Sequence, residues 1–482
     1  MTPAARRSPI EPWLRAALVL AAMLATATLL LGVVDALAEA APDRAAIALA
    51  ATSLARTGAI VLATAVVATV VAWPLARAVP SSLLLGWALV GAPARSLGVL
   101  DLGLAPGALA IAYAAILGGA PWIALVVQLR REALPRGVLE AAQDLGASPL
   151  RAWWTVELPL CRGALGFGLM WCALQQLADA TTWELAGGGK LYSTALLLRD
   201  AALEDDAPAL VSAVLLGLLA TSVPLSWWIA AMLRRVAMDP TAAPRAHWHG
   251  PARGVAIALA ILVALPLAAL VPAALHPLGP LDARLAARLQ PTFSVIAGTV
   301  ALGVPLGAAA AIANERWPRL SPVVLLPLVI PPGAYAAATL FAAHGLGWPP
   351  GPGLMIAAST PTAIALAFVV TTLALPRVAP TLREAAADLG AGAWARLRWL
   401  WWPRLAPAWA GAAVLVAAWC LNDTAVAPYL AGPGDSTLAI ATTTAFRGLD
   451  AATATRWALL QAATAILAAL ALPRLRAARR PA

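Results

Sequence analysis

Apolar blocks of about 18 to 25 residues, divided by short clusters of charge, run the length of this chain. A bilayer core about 30 Å thick takes roughly 20 such residues per helical span. Residues of the set AVILMFWYC make up 61% of the 482 positions, and Asp, Glu, Lys and Arg only 12%. Soluble domains carry roughly twice that charged fraction, so an ordinary soluble enzyme is excluded. The blocks define twelve candidate spans, near 15–34, 57–76, 82–100, 104–128, 163–183, 207–232, 254–275, 291–313, 321–343, 353–376, 407–426 and 456–473. The third is the weakest, because Pro93, Arg95 and the nearby Asp101 interrupt it and an ionisable group in hydrocarbon is costly.

A formal charge of +10 suits nucleic acid binding or the cytoplasmic loops of a membrane protein. Position decides between them. With the N-terminus inside, 24 of the 33 Lys and Arg fall in inside segments and eight outside, with Arg95 left in the third span. The acidic run Glu204-Asp205-Asp206 falls outside. The excess is therefore that of a multi-pass membrane protein with both termini cytoplasmic, and nucleic acid is dropped as a partner.

The first block has Arg6 and Arg7 before it and Ala36-Leu37-Ala38 behind it, the outline of a signal peptide. Its apolar core of about 19 residues exceeds the roughly 7 to 15 of a signal sequence, so a retained helix is expected. Cys161, Cys172 and Cys420 have no metal-ligand or disulfide spacing and are expected to be inert packing residues. Gly189-Lys190 is followed by Leu191, so no Walker A loop is present, and ATP, if used, must be bound by another chain.

Two segments match at an offset of 244: residues 140–159 and 384–403 agree at eight of twenty positions, each in a charged inside loop after the fourth span of its half. The offset continues beyond them, pairing Asp179 with Asp423 and, with one residue of slippage, Leu185-Ala186-Gly187 with Leu430-Ala431-Gly432. Two fused six-helix halves are expected, 1–235 and 254–482, joined by a cytoplasmic linker, 236–253.

The first copy reads Glu140-Ala141-Ala142, then Asp144 and Gly146, and ends Glu157-Leu158-Pro159; the second reads Glu384-Ala385-Ala386, then Asp388 and Gly390, and ends Trp402-Pro403. This pattern resembles the EAA motif of the permease subunits of bacterial ABC importers, the second copy departing at Trp402, where Leu is expected. Two copies in one chain resemble the fused permeases of ferric-iron and thiamine importers. The resemblance implies an all-helical, type I importer-like fold in the inner membrane. It also implies two cytoplasmic ATPase subunits, one docked on each motif, and a solute-binding protein on the outer face. No cofactor is expected on this chain, ATP being used by the partners.

The residues are legible without the family. Glu-Ala-Ala favours a short helix with small side chains, able to lie in a groove of a partner. Gly146 and Gly390 can take φ > 0 and end that helix before the chain returns to the membrane at Pro159 or Pro403. The alternative is a pair of solvated re-entry loops.

Asp179 and Asp423 lie toward the outer ends of the fifth and eleventh spans, near Gln175, Gln176, Thr181 and Thr182 in one half and Asn422 and Thr424 in the other. Ionisable residues there are candidates for a translocation path, and two carboxylates across it would favour a cation. The alternative is that each acid caps a broken helix or pairs with a base, and Arg95 is expected to pair with Asp101. His247 and His249 form an HxH in an inside loop without acid or Cys partners, and a solvated loop is expected rather than a metal site. His276 and His344 are placed near the outer face, the Trp clusters at 153–154 and 399–402 at the inside interface, and Pro331-Pro332-Gly333 should break the ninth span.

The expected function is transport, without chemistry of the chain's own: a small solute moved by an ATP-driven importer, ferric iron first, thiamine or another small ion or organic cation second. Rivals are an ion-coupled secondary transporter, which needs no ATPase, and a membrane-embedded enzyme, for which no HExxH or GxSxG motif is present.

Overall fold

The computed structural model describes residues 11–132, 138–203, 207–236, 251–274, 283–314, 317–448 and 450–477. Among these the chain is all-helical, without strands. Eleven α-helices precede the linker region: α1 (Glu11–Glu39), α2 (Arg44–Ala78), α3 (Ser81–Ala88), α4 (Ala92–Asp101), α5 (Ala108–Glu132), α6 (Val138–Asp144), α7 (Pro149–Ala152), α8 (Leu158–Ala178), α9 (Ala180–Gly187), α10 (Thr194–Leu203) and α11 (Pro208–Val236). Eleven follow it: α12 (Pro251–Ala274), α13 (Ala283–Asn314), α14 (Ser321–Val329), α15 (Pro332–Leu346), α16 (Pro352–Ala374), α17 (Pro380–Asp388), α18 (Ala393–Ala395), α19 (Trp402–Leu421), α20 (Ala427–Leu430), α21 (Leu438–Arg447) and α22 (Ala451–Ala477). Helix for helix the second series repeats the first: α10 and α21 are 244 residues apart at both ends, and α5 and α16 begin 244 apart.

Among the described residues eight helices are long and apolar enough to cross a membrane, or up to ten if each of two bent pairs is one span. The bent pairs are α3 with α4, turning 88°, and the segment Pro318–Val329 with α15, turning 94°. These occupy the expected third and ninth spans, at equivalent places in the repeat. The cause at the second is Pro331-Pro332: the ring fixes φ and removes a donor, so the helix that ends at Val329 cannot continue. Of the twelve expected spans, eight to ten meet this measure among the described residues. The two other blocks are α8, which ends in the polar pair Gln175-Gln176, and α12, whose apolar stretch Ile257–Pro272 is short.

Packing interlocks the two series. α1 lies against α13, α14 and α15, while α12 lies against α2 and α4; α11 meets α14 and α22 meets α3. In a bilayer such contacts depend on close approach of small residues rather than on hydrophobic burial. The α1–α15 crossing shows how. Tyr335 is fully buried and its hydroxyl donates to the Ala25 carbonyl of α1 at 2.6 Å. Two turns further along the same face of α1, Gly32 sits so close to Ala338 that a Cβ there would lie 1.9 Å from the Ala338 carbonyl oxygen. Since backbone cannot yield as a side-chain tip does, Gly32→Val must move a helix. We expect a cost of about 1–3 kcal/mol, seen as a lowered Tm of the detergent-purified protein. A Tm equal to that of the parent would show that the two helices do not meet there.

Candidate functional site

Both path acids sit where a helix stops. The fifth and eleventh spans, expected to continue to 183 and 426, end instead at Ala178 and Leu421. Asp179 turns the chain into α9, its Oδ1 accepting from the Thr182 amide at 2.9 Å and its Oδ2 from the Thr182 hydroxyl at 2.5 Å. Asp423 instead holds the turn that leads to α20, accepting from the amides of Ala425 (2.8 Å) and Val426 (3.2 Å), ahead of the helix start at Val426. Asp179 is thus an N-cap and Asp423 a turn former, and in both cases free backbone donors satisfy the carboxylate, which is why an acid is tolerated at this depth.

These breaks face a cavity of about 160 Å³ formed by elements of both series. Its wall includes the α3–α4 bend, the α14–α15 bend, and residues of α5, α8, α16 and α19. Gln175, Gln176, Asp179, Asn422, Asp423 and Thr424 line it. Thr181 and Thr182 do not; they are buried, the Thr181 hydroxyl donating to Thr424 Oγ1 at 2.5 Å. That bond ties the two breaks together. Gln175 is exposed, whereas Gln176 is buried and occupied, accepting from Thr64 and donating to Cys172 Sγ (2.9 Å) and the Ala115 carbonyl (3.4 Å). Gln176 thus works mainly as packing.

Arg95 corrects the expected pairing. Its guanidinium donates to Asp179 Oδ2 at 3.3 Å and to the Val90 carbonyl at 2.7 Å, while Asp101 is exposed at the end of α4. Gly118 leaves room for it, since a Cβ there would lie 2.7 Å from the guanidinium carbon. The two acids are therefore inequivalent: Thr339 stands at the repeat position of Arg95, and among the described residues no base lies within ion-pair distance of Asp423. Asn422 donates to the carbonyls of Leu89 (3.3 Å) and Ala418 (2.8 Å) but its Oδ1 has no partner, and the buried Thr362 hydroxyl and Trp171 indole N–H, both on the cavity wall, have none either. Trp122, Trp171 and Trp419 supply aromatic walls. Sequence reasoning missed these, because a Trp inside an apolar span reads as packing.

At one end of the bundle, each motif forms the same local structure. Glu140, Ala141, Ala142 and Asp144 lie on α6, and Glu384, Ala385, Ala386 and Asp388 on α17. Gly146 has φ +82° and Gly390 φ +66°. The Ala147 amide returns to the Ala142 carbonyl and the Ala391 amide to the Ala386 carbonyl, both at 3.0 Å, closing a Schellman-type end. A π-helical turn follows each, Trp153–Glu157 and Arg396–Trp401, and feeds directly into α8 and α19, with Pro159 and Pro403 in their first turns. Glu384 is exposed, as are Trp154, Trp399 and Trp402.

Elsewhere the two series are joined by a cluster of charge. Glu184 of α9 accepts from Arg199 of α10 at 2.6 Å and from Arg447 of α21. Burial works to raise the Glu184 carboxyl, but the hydrogen bonds from Arg447 and Arg199 outweigh it and hold the group below the usual range. His344 is exposed in the last turn of α15; His247, His249, His276 and the run 204–206 lie outside the described residues.

Residues 75–238 match the family model described as the inner-membrane component of binding-protein-dependent transport systems, about a third of the chain. That stretch holds the first motif, the α3–α4 bend and Asp179. Comparison with curated proteins and with solved structures gives no match. The match supports a permease subunit of an ABC importer, a transport component of the membrane rather than an enzyme. With the long apolar helices it indicates an integral inner-membrane protein; the matching family works in general with a solute-binding protein and ATPase partners.

Proposed function

We propose that this chain is a two-half translocation unit, residues 1–235 and 254–482, that docks one ATPase subunit on each of α6 and α17 and receives its cargo from a binding protein on the opposite face. The observation that carries this is the pair of matching loop ends, each running through a π-helical turn into a helix that lines the shared cavity. A rotation of either docking helix would be passed to the cavity wall. The cargo is a small solute, ferric iron first and thiamine or another small ion or organic cation second, supported by the resemblance of the duplicated motif and by two carboxylates on the cavity wall. Among the described residues no group of three His, Cys, Asp or Glu is placed to hold a metal ion. A path that must release what it carries suits weak contacts of this kind.

The test is reconstitution of the chain with its ATPase and binding protein in liposomes. Uptake should require ATP inside the ATPase compartment and persist when ion gradients are collapsed. Uptake that instead follows an ion gradient without ATPase would make the chain a secondary transporter.

Orientation follows from the charge count, and both termini and the linker 236–253 are assigned to the cytoplasm. Single cysteines placed in 200–206 should react with an impermeant maleimide added to whole spheroplasts, and those in the linker should not. Labelling of the linker from outside would reverse the orientation.

A further inference from the structure

Glu157 closes the first π-helical turn, one residue before α8, and is 2% exposed. Its carboxylate is held by two guanidiniums from different helices: Oε2 accepts from Arg77 in the last turn of α2, and Oε1 from Arg131 in the last turn of α5, at 2.5 Å. Arg77 also lies over the Trp73 ring, 5.5 Å from its centroid, and Trp73 meets Trp153 of the same π turn edge-on at 5.7 Å. Three helix ends are thus fastened to the segment that leaves the first docking helix, and α6 itself packs back on that π turn.

The second loop is built otherwise. At the repeat positions of Arg77, Arg131 and Glu157 stand Ser321, Leu375 and Trp401. There the link comes from the docking helix: Arg383 donates to the carbonyls of Val378 (2.8 Å) and Leu375 (3.3 Å) and lies over the Trp401 ring at 5.4 Å. A carboxylate shared by two cations out of reach of bulk water resists sliding, because a buried charge separated from its partner is left uncompensated.

We propose that Glu157 is a positioning residue that makes α2 and α5 move with the first docking loop, so that a stroke at α6 reaches the cavity wall through α5 as well as through α8. α5 supplies Gly118, Gly119 and Trp122 to the cavity wall, and α2 packs along both α5 and α8. π-helical turns often mark such functional joints. The inference rests on the docking role proposed above.

The measurement is solute moved per ATP hydrolysed, in liposomes holding the full complex. Glu157→Gln should lower this ratio at least tenfold while binding-protein-stimulated ATP hydrolysis falls less than twofold. Because Gln there leaves two buried cations, the triple replacement Arg77→Gln, Arg131→Gln, Glu157→Gln is measured beside it; it buries no charge, keeps polar shape, and should show the same fall. Glu157→Asp, which keeps the charge, should recover part of the ratio. A purely structural role would reduce protein level, hydrolysis and uptake together and leave the ratio unchanged, and an unchanged ratio in the triple variant overturns the proposal. Failure of the docking role itself would show differently, as absence of ATP-dependent uptake by the unmodified complex.

Discussion

Replacing Glu140 and Glu384 together by Ala should abolish ATP-driven uptake while the chain still reaches the membrane. Both residues lie on short helices outside the long spans. Glu384 is exposed, which in an isolated chain leaves a charged side chain free for a partner. Interface residues that dominate docking are worth about 2 kcal/mol or more each, so loss of two would weaken ATPase attachment on the order of a thousandfold. Uptake and co-purification of the ATPase should fall together, and each single replacement should fall short of the double. Normal uptake by the double variant, at normal membrane level, would defeat the docking role of both loops. The contrast with Glu157 is informative: loss of the docking acids should release the ATPase, whereas loss of Glu157 should leave it attached and hydrolysing ATP while little solute moves.

The docking loops were legible in the sequence because each of their features is local. A Glu-Ala-Ala run favours helix within one turn, and Gly146 and Gly390 end it through their own φ. Duplication then made a short signal stand out against an Ala-rich background. The helix breaks at Asp179 and Asp423 were not legible in the same way. Apolar residues continue on both sides of each acid, so hydropathy carries the span through a point at which the side chain caps a new helix, at Asp179, or holds a turn, at Asp423. Pro331-Pro332 announced its break, whereas the matching bend at Val90-Gly91 has no proline pair and was seen only as a weak span. The pairing of Arg95 was out of reach for a different reason. Asp101 is near in sequence, but the 88° bend turns Arg95 into the cavity, where it meets an acid 84 positions away. Periodicity and charge counts contain no information on that contact.

That contact also separates the two acids experimentally. Asp179→Asn should leave Arg95 buried without its counter-charge, at a cost of about 3–5 kcal/mol, and the chain should accumulate poorly. Replacing both partners by apolar residues, Arg95→Met with Asp179→Leu, should restore much of the level, because an ion pair removed whole leaves no orphan charge. Asp423→Asn is the cleaner probe of function. The Asn carbonyl can still accept from the Ala425 amide, so the start of α20 is kept and only the charge is lost. With no base beside it, the Asp423 carboxylate is the group through which the cavity can favour a cation, and removing it should slow uptake of a cationic cargo tenfold or more. Docking of the binding protein and ATP hydrolysis should change little, since the proposed reading puts both at the ends of the bundle. If uptake by the Asp423→Asn chain matches that of the parent, Asp423 is a turn former alone. The cavity then offers no net charge to a cation, because Asp179 is already spoken for by Arg95, and the physical ground for placing ferric iron ahead of a neutral solute is gone.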